Sequence, residues 1–307
     1  MEPNVFTVRA SSWGRLFDCA HAWEGTHILG MKKPAGMRAL LGTAVHAGTA
    51  AYDLARLEGN PCTPDEAADV LVDELHNPAY EVDHAQDGLT LANAERIALT
   101  ALVKYCADVA PRFTYIDVET KLDPLDIDCG RGMVVRLTGT MDRARVAETE
   151  GGIVIPDVKT GLRVIQDGQA VTQGRAPQTG TYQLMYEQTK KVRTVGSQII
   201  ALSTGATAAA AVSPVFDARR VMVGEPDQPG LIEHAAAMFR TGLFPRTPPA
   251  SCAARSTARA GPPAFSDNQR SPACPSTPSA ATCTSGAPIR PAKRSSPSTW
   301  PGIPPRS

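Results

Sequence analysis

Ile153-Val154-Ile155-Pro156-Asp157-Val158-Lys159-Thr160-Gly161 is an apolar, β-branched run that ends in a carboxylate, with a lysine two residues on. In a strand, residues i and i+2 leave the same face, so Asp157 and Lys159 stand side by side at its end. An anion beside a cation suits chemistry on phosphate esters. The carboxylate can hold a divalent metal, and the ammonium can steady charge or position water. The same pair also reads as a plain edge ion pair, and the surrounding chain has to decide between the two.

Working outward, Gly151-Gly152 marks a turn, and Met133 to Arg143 reads as a second strand hairpinned to the first. Tyr115 to Leu122 alternates in the manner of a third strand. Downstream, a helix is expected over about 177–190, a buried strand from Val195 to Leu202, and a last helix from Pro229-Gly230-Leu231 to about Gly242. Upstream of Pro111 the chain reads as helix throughout. One helix covers 10–24, where Ser11 and Ser12 can cap and Trp13, Leu16, Phe17, Ala20 and Trp23 share a face. A second covers 39–58, entered through Gly42-Thr43 and carrying His46. A third starts at Thr63-Pro64-Asp65-Glu66, with a cap, an early proline and acids beside the positive end of the dipole. A fourth spans about 88–109. The fold class is α/β, with a helical N-terminal third.

The formal charge of the 307 residues is zero, but two unlike parts produce it. Residues 246–307 hold eight Lys/Arg and one acid, leaving 23 basic and 30 acidic residues in 1–245, a net of −7. Bulk charge therefore excludes a generally basic nucleic-acid binder, and any such binding must use a local groove. No apolar run reaches the 18 residues of a membrane span, and the N-terminus lacks a secretory pattern. Seven scattered cysteines without close pairs point to a reducing cytoplasm.

Four features line up behind Asp157 and Lys159. His46 sits on an early helix, and Asp142 closes Gly139-Thr140-Met141-Asp142 at the end of the second strand. Gln178 and Tyr182 share a face of the next helix at i and i+4. In a hairpin, Asp142 and Asp157 converge, and two carboxylates with an imidazole make a shell for Mg²⁺ or Mn²⁺. Taken singly, His46 reads as a packed helix histidine and Asp142 as a turn aspartate.

In this order, Ser11-Ser12…Phe17-Asp18-Cys19, Gly42-Thr43-Ala44-Val45-His46, Gly139-Thr140-Met141-Asp142, Pro156-Asp157-Val158-Lys159 and Gln178-Thr179-Gly180-Thr181-Tyr182 resemble the PD-(D/E)XK nuclease superfamily. The resemblance covers about residues 10–245 and is nearest to the RecB-like branch, which includes CRISPR-associated exonucleases and the nuclease domains of recombination helicases. It implies a restriction-endonuclease-like core, a mixed sheet flanked by helices. It implies that His46, Asp142, Asp157 and the Val158 carbonyl bind metal and that Asp142, Asp157 and Lys159 are catalytic. Gln178, Tyr182 and the strand glutamate Glu119 would contact DNA or support the site. The expected function is a Mg²⁺- or Mn²⁺-dependent DNA exonuclease acting on single strands or ends, in repair, recombination or phage- or CRISPR-related processing. A helicase or recombination protein is the expected partner. The alternatives are a DNA- or partner-binding relative without cleavage, or an inactive product.

Relatives with an early cysteine such as Cys19 often add three near the C-terminus to hold a four-iron–four-sulfur cluster. Here, where that group is expected after Phe244-Pro245, the chain offers only Cys252 and then a Pro/Ser/Ala/Arg-rich tail that holds Cys274 and Cys283; residues 245–307 contain fourteen of the 26 prolines. The resemblance implies a nuclease domain over 1–245, composition predicts a disordered, low-complexity tail over 246–307, and no cluster is expected. We expect this tail to be translated out of frame. Read from the third base of the Thr257 codon, the code permits Cys-Ala-Arg-Trp-Ala-Ala-Cys, and the overlap of the Cys252 and Ala253 codons permits a further Cys.

Overall fold

The computed structural model describes residues 3–60, 62–147, 149 and 151–246. Strand β1 (Asn4–Arg9) precedes five helices, α1 (Trp13–Asp18), α2 (Ala20–His27), α3 (Met37–Leu57), α4 (Pro64–His76) and α5 (Leu91–Asp108). Strands β2 (Tyr115–Lys121), β3 (Leu125–Asp128), β4 (Met133–Thr138), β5 (Thr140–Ala147) and β6 (Gly152–Gly161) follow. Helix α6 (Ala176–Lys190) leads to β7 (Thr194–Ser203), β8 (Ala210–Val212), α7 (Arg219–Val223) and α8 (Leu231–Thr241).

The main sheet has the order β8-β7-β6-β5-β2 and is mixed, since β6 and β7 run parallel and the other pairs antiparallel. A smaller sheet, β1-β4-β3, pairs β1 parallel to β4. Central position explains the composition of β6: Val154, Ile155 and Val158 are fully buried, as a strand covered on both faces requires. Helices α3, α4 and α5 form the main core through Leu40, Val45, Leu71 and Leu102, and Val158, Ile200 and Leu202 of the sheet join it. Gly48 permits this closeness, because a Cβ there would meet the Leu71 Cβ at 3.0 Å. Helix α4 starts as its sequence predicts, with the Thr63 hydroxyl accepting from the Glu66 N–H and the Glu66 carboxylate accepting from the Thr63 N–H.

Three expectations change. The helix expected over 10–24 is a short turn and two helices broken at Cys19, whose backbone is extended; the Ser12 hydroxyl turns back to the Arg9 carbonyl instead of capping. Phe17 is exposed, while Trp13, Leu16, Ala20 and Trp23 are buried. Helix α3 begins at Met37, ahead of Gly42. The strand expected over 133–143 is two strands in different sheets, β4 and β5, divided at Gly139. A Cβ on Gly139 would stand 2.9 Å from the Tyr182 ring and 3.2 Å from the Ala10 Cβ, so the chain changes sheets where only a hydrogen fits. Asp142 is consequently the third residue of its strand rather than the last. Tail residues 247–307, with Cys252, Cys274 and Cys283, lie outside the described residues.

Candidate active site

The β5–β6 ladder pairs Arg145 with Val154, Val146 with Ile153 and Ala147 with Gly152, and then stops. Pro156, which has no N–H, follows two residues later. Continued at the same register, Asp142 would face Asp157, so both carboxylates lie where the strands have parted. The Val158 N–H donates to Asp142 Oδ2 at 2.8 Å, filling the gap with a side chain. On α3, His46 places Nδ1 3.4 Å from the same oxygen.

Glu119 completes the group. Its neighbours Val118 and Thr120 pair with Arg143 and Met141, which puts Glu119 opposite Asp142. Its φ of 46° is left-handed, a strained conformation inside a strand. One ligand atom each from His46, Glu119 and Asp142 lie within 4.8 Å of one another. Asp157 stands beside this trio, paired with Lys159 through Nζ and Oδ2 at 2.6 Å. That contact is a close ion pair without hydrogen-bond geometry, and both Asp157 oxygens are buried with no hydrogen-bond partner. A buried carboxylate whose oxygens meet only the Lys159 ammonium, beside two further carboxylates and an imidazole, fits a hard divalent cation.

The electrostatics agree with that fit. Burial, reinforced by the charge of Asp142 and opposed by Lys159, pushes the Asp157 carboxyl up to about 6. Burial and then Asp142 push Glu119 up to about 7, although its side chain is 41% exposed and water screens part of the effect. Burial also opposes ionisation of Asp142, but His46, Lys159, Arg143 and the Val158 N–H outweigh it and hold that carboxyl below its usual range. Burial lowers His46 against the attraction of Asp142, which keeps the imidazole neutral and able to ligate at neutral pH.

Gln178 donates to the Tyr182 hydroxyl at 3.1 Å. Tyr182 is 4% exposed, and burial with the charges of Asp142 and Asp157 raises its phenol. Cys19 lies between α1 and α2 and is not part of a disulfide, and among the described residues no thiol belongs to a metal-binding group.

Sequence reasoning missed Asp53, Arg143 and Arg175. Arg143 and Asp53 are wholly buried and paired at 2.7 Å. The Arg143 Nη1 also donates to the Asp142 carbonyl at 2.9 Å and to Glu119 Oε1 at 3.3 Å, and Nη2 reaches the Thr49 hydroxyl at 3.4 Å. Tyr105 donates to Asp53 from the other side and meets Tyr115 at 3.2 Å. The signal was present on α3: His46, Thr49 and Asp53 fall at i, i+3 and i+7, one face of the helix. Arg175, at the start of α6, is near enough to Asp157 for its charge to lower that carboxyl.

With this geometry, the chain matches the family profile of the PD-(D/E)XK nuclease superfamily over residues 10–257. It belongs to that superfamily, and so to the nuclease hydrolases that use divalent metals. No curated protein sequence matches it. Among solved structures it is similar to that of a proposed exonuclease from Eubacterium rectale, with 12% identity, a TM-score of 0.46, and coverage of 84% of this chain and 91% of that one. Among the described residues no helix is long and apolar enough to cross a membrane.

Proposed function

We propose that this chain is a Mg²⁺- or Mn²⁺-dependent deoxyribonuclease of the RecB-like branch that trims DNA from single-stranded ends. The observation that carries the reading is the gathering of His46, Glu119 and Asp142 beside the Asp157–Lys159 pair where β5 and β6 part. His46, Glu119, Asp142 and Asp157, with the Val158 carbonyl, would hold the metal. When bound, the ion supplies charge for the scissile phosphate and a lower pKa for a nearby water. Lys159, held in place by Asp157, orients the attacking water and donates to the oxygen that gains charge at phosphorus. Water oxygen bonds to phosphorus as the bond to the sugar oxygen breaks. Tyr182, fixed by Gln178, lines the strand's path. Arg143 holds Glu119 and the Asp142 carbonyl in place from behind.

The nuclease domain on this reading is 1–245, residues 246–307 are an out-of-frame tail, and the protein works in the cytoplasm beside a helicase or recombination partner. Sequencing the gene across codons 245–270 tests the tail; a shifted frame without the cysteines rejects it. End-labelled single-stranded and duplex DNA, incubated with Mg²⁺ or Mn²⁺, tests the activity. Cleavage lost in Asp157→Ala and Lys159→Ala supports the assignment. Binding without cleavage under either metal would show a relative that has lost its chemistry.

A further inference from the structure

Two clefts open on the edge of the main sheet that carries the acidic group, one on each side of it. The strand order fixes their positions: the ends of β6 and β7 border the first, and the end of β2 with the start of β5 border the second. The group between them lies in the opening of β5 and β6. Three strand spacings, about 15 Å, separate the outer strands.

The first cleft, of about 430 Å³, has Arg38 and Arg163 on its rim, Leu41, Ile97 and Leu162 as apolar wall, and Thr160 beside Lys159. Arg38, Gly42 and His46 fall at i, i+4 and i+8 of α3, so Arg38 stands about 12 Å along the helix from His46. Gly42 brings α3 against this edge, since a Cβ there would meet the Thr160 hydroxyl at 3.1 Å. Leu162 is 59% exposed, an apolar side chain facing solvent at the mouth.

The second cleft, of about 420 Å³, differs in chemistry. Arg9 and Lys121 supply charge, and Ser11, Thr138, Thr140 and Tyr182 supply polar groups. Thr140 and Lys121 are register partners, each two residues from a member of the acidic group, Asp142 and Glu119. Burial, and then the charges of Arg9, Arg15 and Lys32, hold His27 below its ordinary value.

Arg9, Arg38, Lys121 and Arg163 are exposed, and among the described residues none makes an ion pair. Asp87 accepts from the Arg38 backbone N–H at 2.8 Å. Among the described residues neither cleft is lined by a carboxylate. On a body with a net charge of −7, two unpaired cation pairs flanking a phosphodiester-cleaving site are local anion positions.

We propose that the two clefts are the two arms of a track for an unpaired polynucleotide strand. The Arg38/Arg163 arm takes a base against Leu41, Ile97 and Leu162 together with its phosphate. The Arg9/Lys121 arm takes sugar and phosphate on the other side of the scissile bond. This rests on the nuclease reading and adds which residues select the substrate. An apolar wall reaches a base face only when the base has left its duplex stack, so the first arm favours single strands.

The test uses the full chain in three forms: unaltered, Arg38→Gln/Arg163→Gln, and Arg9→Gln/Lys121→Gln. Binding of fluorescein-labelled oligodeoxythymidine and of a blunt hairpin duplex is followed by anisotropy in EDTA, from about 50 to 200 mM salt. Hydrolysis of bis(p-nitrophenyl) phosphate, too small to fill either arm, reports on the metal site. Each double variant is expected to weaken oligodeoxythymidine binding about tenfold or more. Each should also lower the slope of log affinity against log salt by about 1.4, two single-strand phosphates at roughly 0.7 each. Hydrolysis of the small diester should stay unchanged. Leu162→Ser is expected to reduce oligodeoxythymidine affinity and leave hairpin affinity alone. Unchanged affinity and slope in both double variants, with the small diester still cleaved, would overturn the track and leave the nuclease reading standing. Equal losses on hairpin and single strand would overturn the unpaired-strand assignment. A chain that cleaves neither DNA nor the small diester, with no DNA binding, would end both.

Discussion

Asp53→Asn removes the charge opposite a guanidinium that has no access to water. Arg143 and Asp53 are both 0% exposed, and the pair is bonded at 2.7 Å. Taking away one partner of such a pair costs about 3–5 kcal/mol, because the remaining charge stays buried. In a domain of this size each kcal/mol lowers Tm by about 2–4 °C, so the variant should melt roughly 6–20 °C below the parent. The pair itself is not the source of that stability. Burial outweighs the attraction of Arg143 and leaves the Asp53 carboxyl above its usual range, so much of the favourable interaction only offsets desolvation. Asp53→Leu with Arg143→Met should therefore recover most of the lost Tm. Site geometry should not recover with it, because Glu119 and the Asp142 carbonyl still lack the Arg143 donor. Loss of such supporting contacts typically weakens metal affinity about 10–100-fold. Thermal unfolding by circular dichroism, with and without Mn²⁺, reads both effects. Asp53→Asn melting within about 2 °C of the parent, or a double variant no more stable than the single one, would refute the reasoning.

Metal affinity should rise with pH between about 5 and 8. Asp157 and Glu119, raised to about 6 and about 7, are protonated at the lower end and must lose those protons to ligate. The rise in Tm produced by Mn²⁺ measures this, and an equal rise at both ends of the range would contradict it. The sign for the metal-free protein is opposite. Both carboxyls hold their protons more tightly folded than unfolded, so their contribution is most favourable below the unfolded values and is lost as pH climbs through 6 to 7. Gly139→Ala, whose added methyl meets Tyr182 and Ala10, should lower DNA cleavage at least tenfold for about 1–3 kcal/mol of stability. Glu119→Gly relieves a left-handed φ and should keep or raise Tm while shrinking the Mn²⁺-induced increase; a clear fall in Tm would count against strain at this position. Thr63→Ala removes a capping box and should cost about 1 kcal/mol in chemical unfolding, with cleavage unaffected.

What could be read in advance follows the range of the forces involved. Helix α4 was legible because its cap, proline and first-turn acids act within four residues. Strand β6 was legible because burial on both faces demands a continuous apolar run. The division of 133–143 was not, because alternation continues across Gly139 and the reason for the break lies forty-three residues away in the Tyr182 ring. Strand β1 was missed for a related cause: its partner is β4, more than a hundred residues on, and only Val8 of its six residues is buried.

The site divides in the same way. Asp157 and Lys159 are neighbours by strand period alone, and their 2.6 Å contact needs nothing from the rest of the chain. Glu119 takes its place through a backbone that departs from strand geometry, and nothing in Val118-Glu119-Thr120 announces a positive φ. Arg143 carried a misleading signal, since an arginine inside a strand reads as a solvent-facing residue. Its burial makes sense only when Asp53 arrives from α3, ninety residues earlier, with Tyr105 behind it. A charge pair so costly to desolvate contributes little net stability, yet its donors end on Glu119 and on the Asp142 carbonyl. Position, rather than stability, is what this pair supplies to the acidic group.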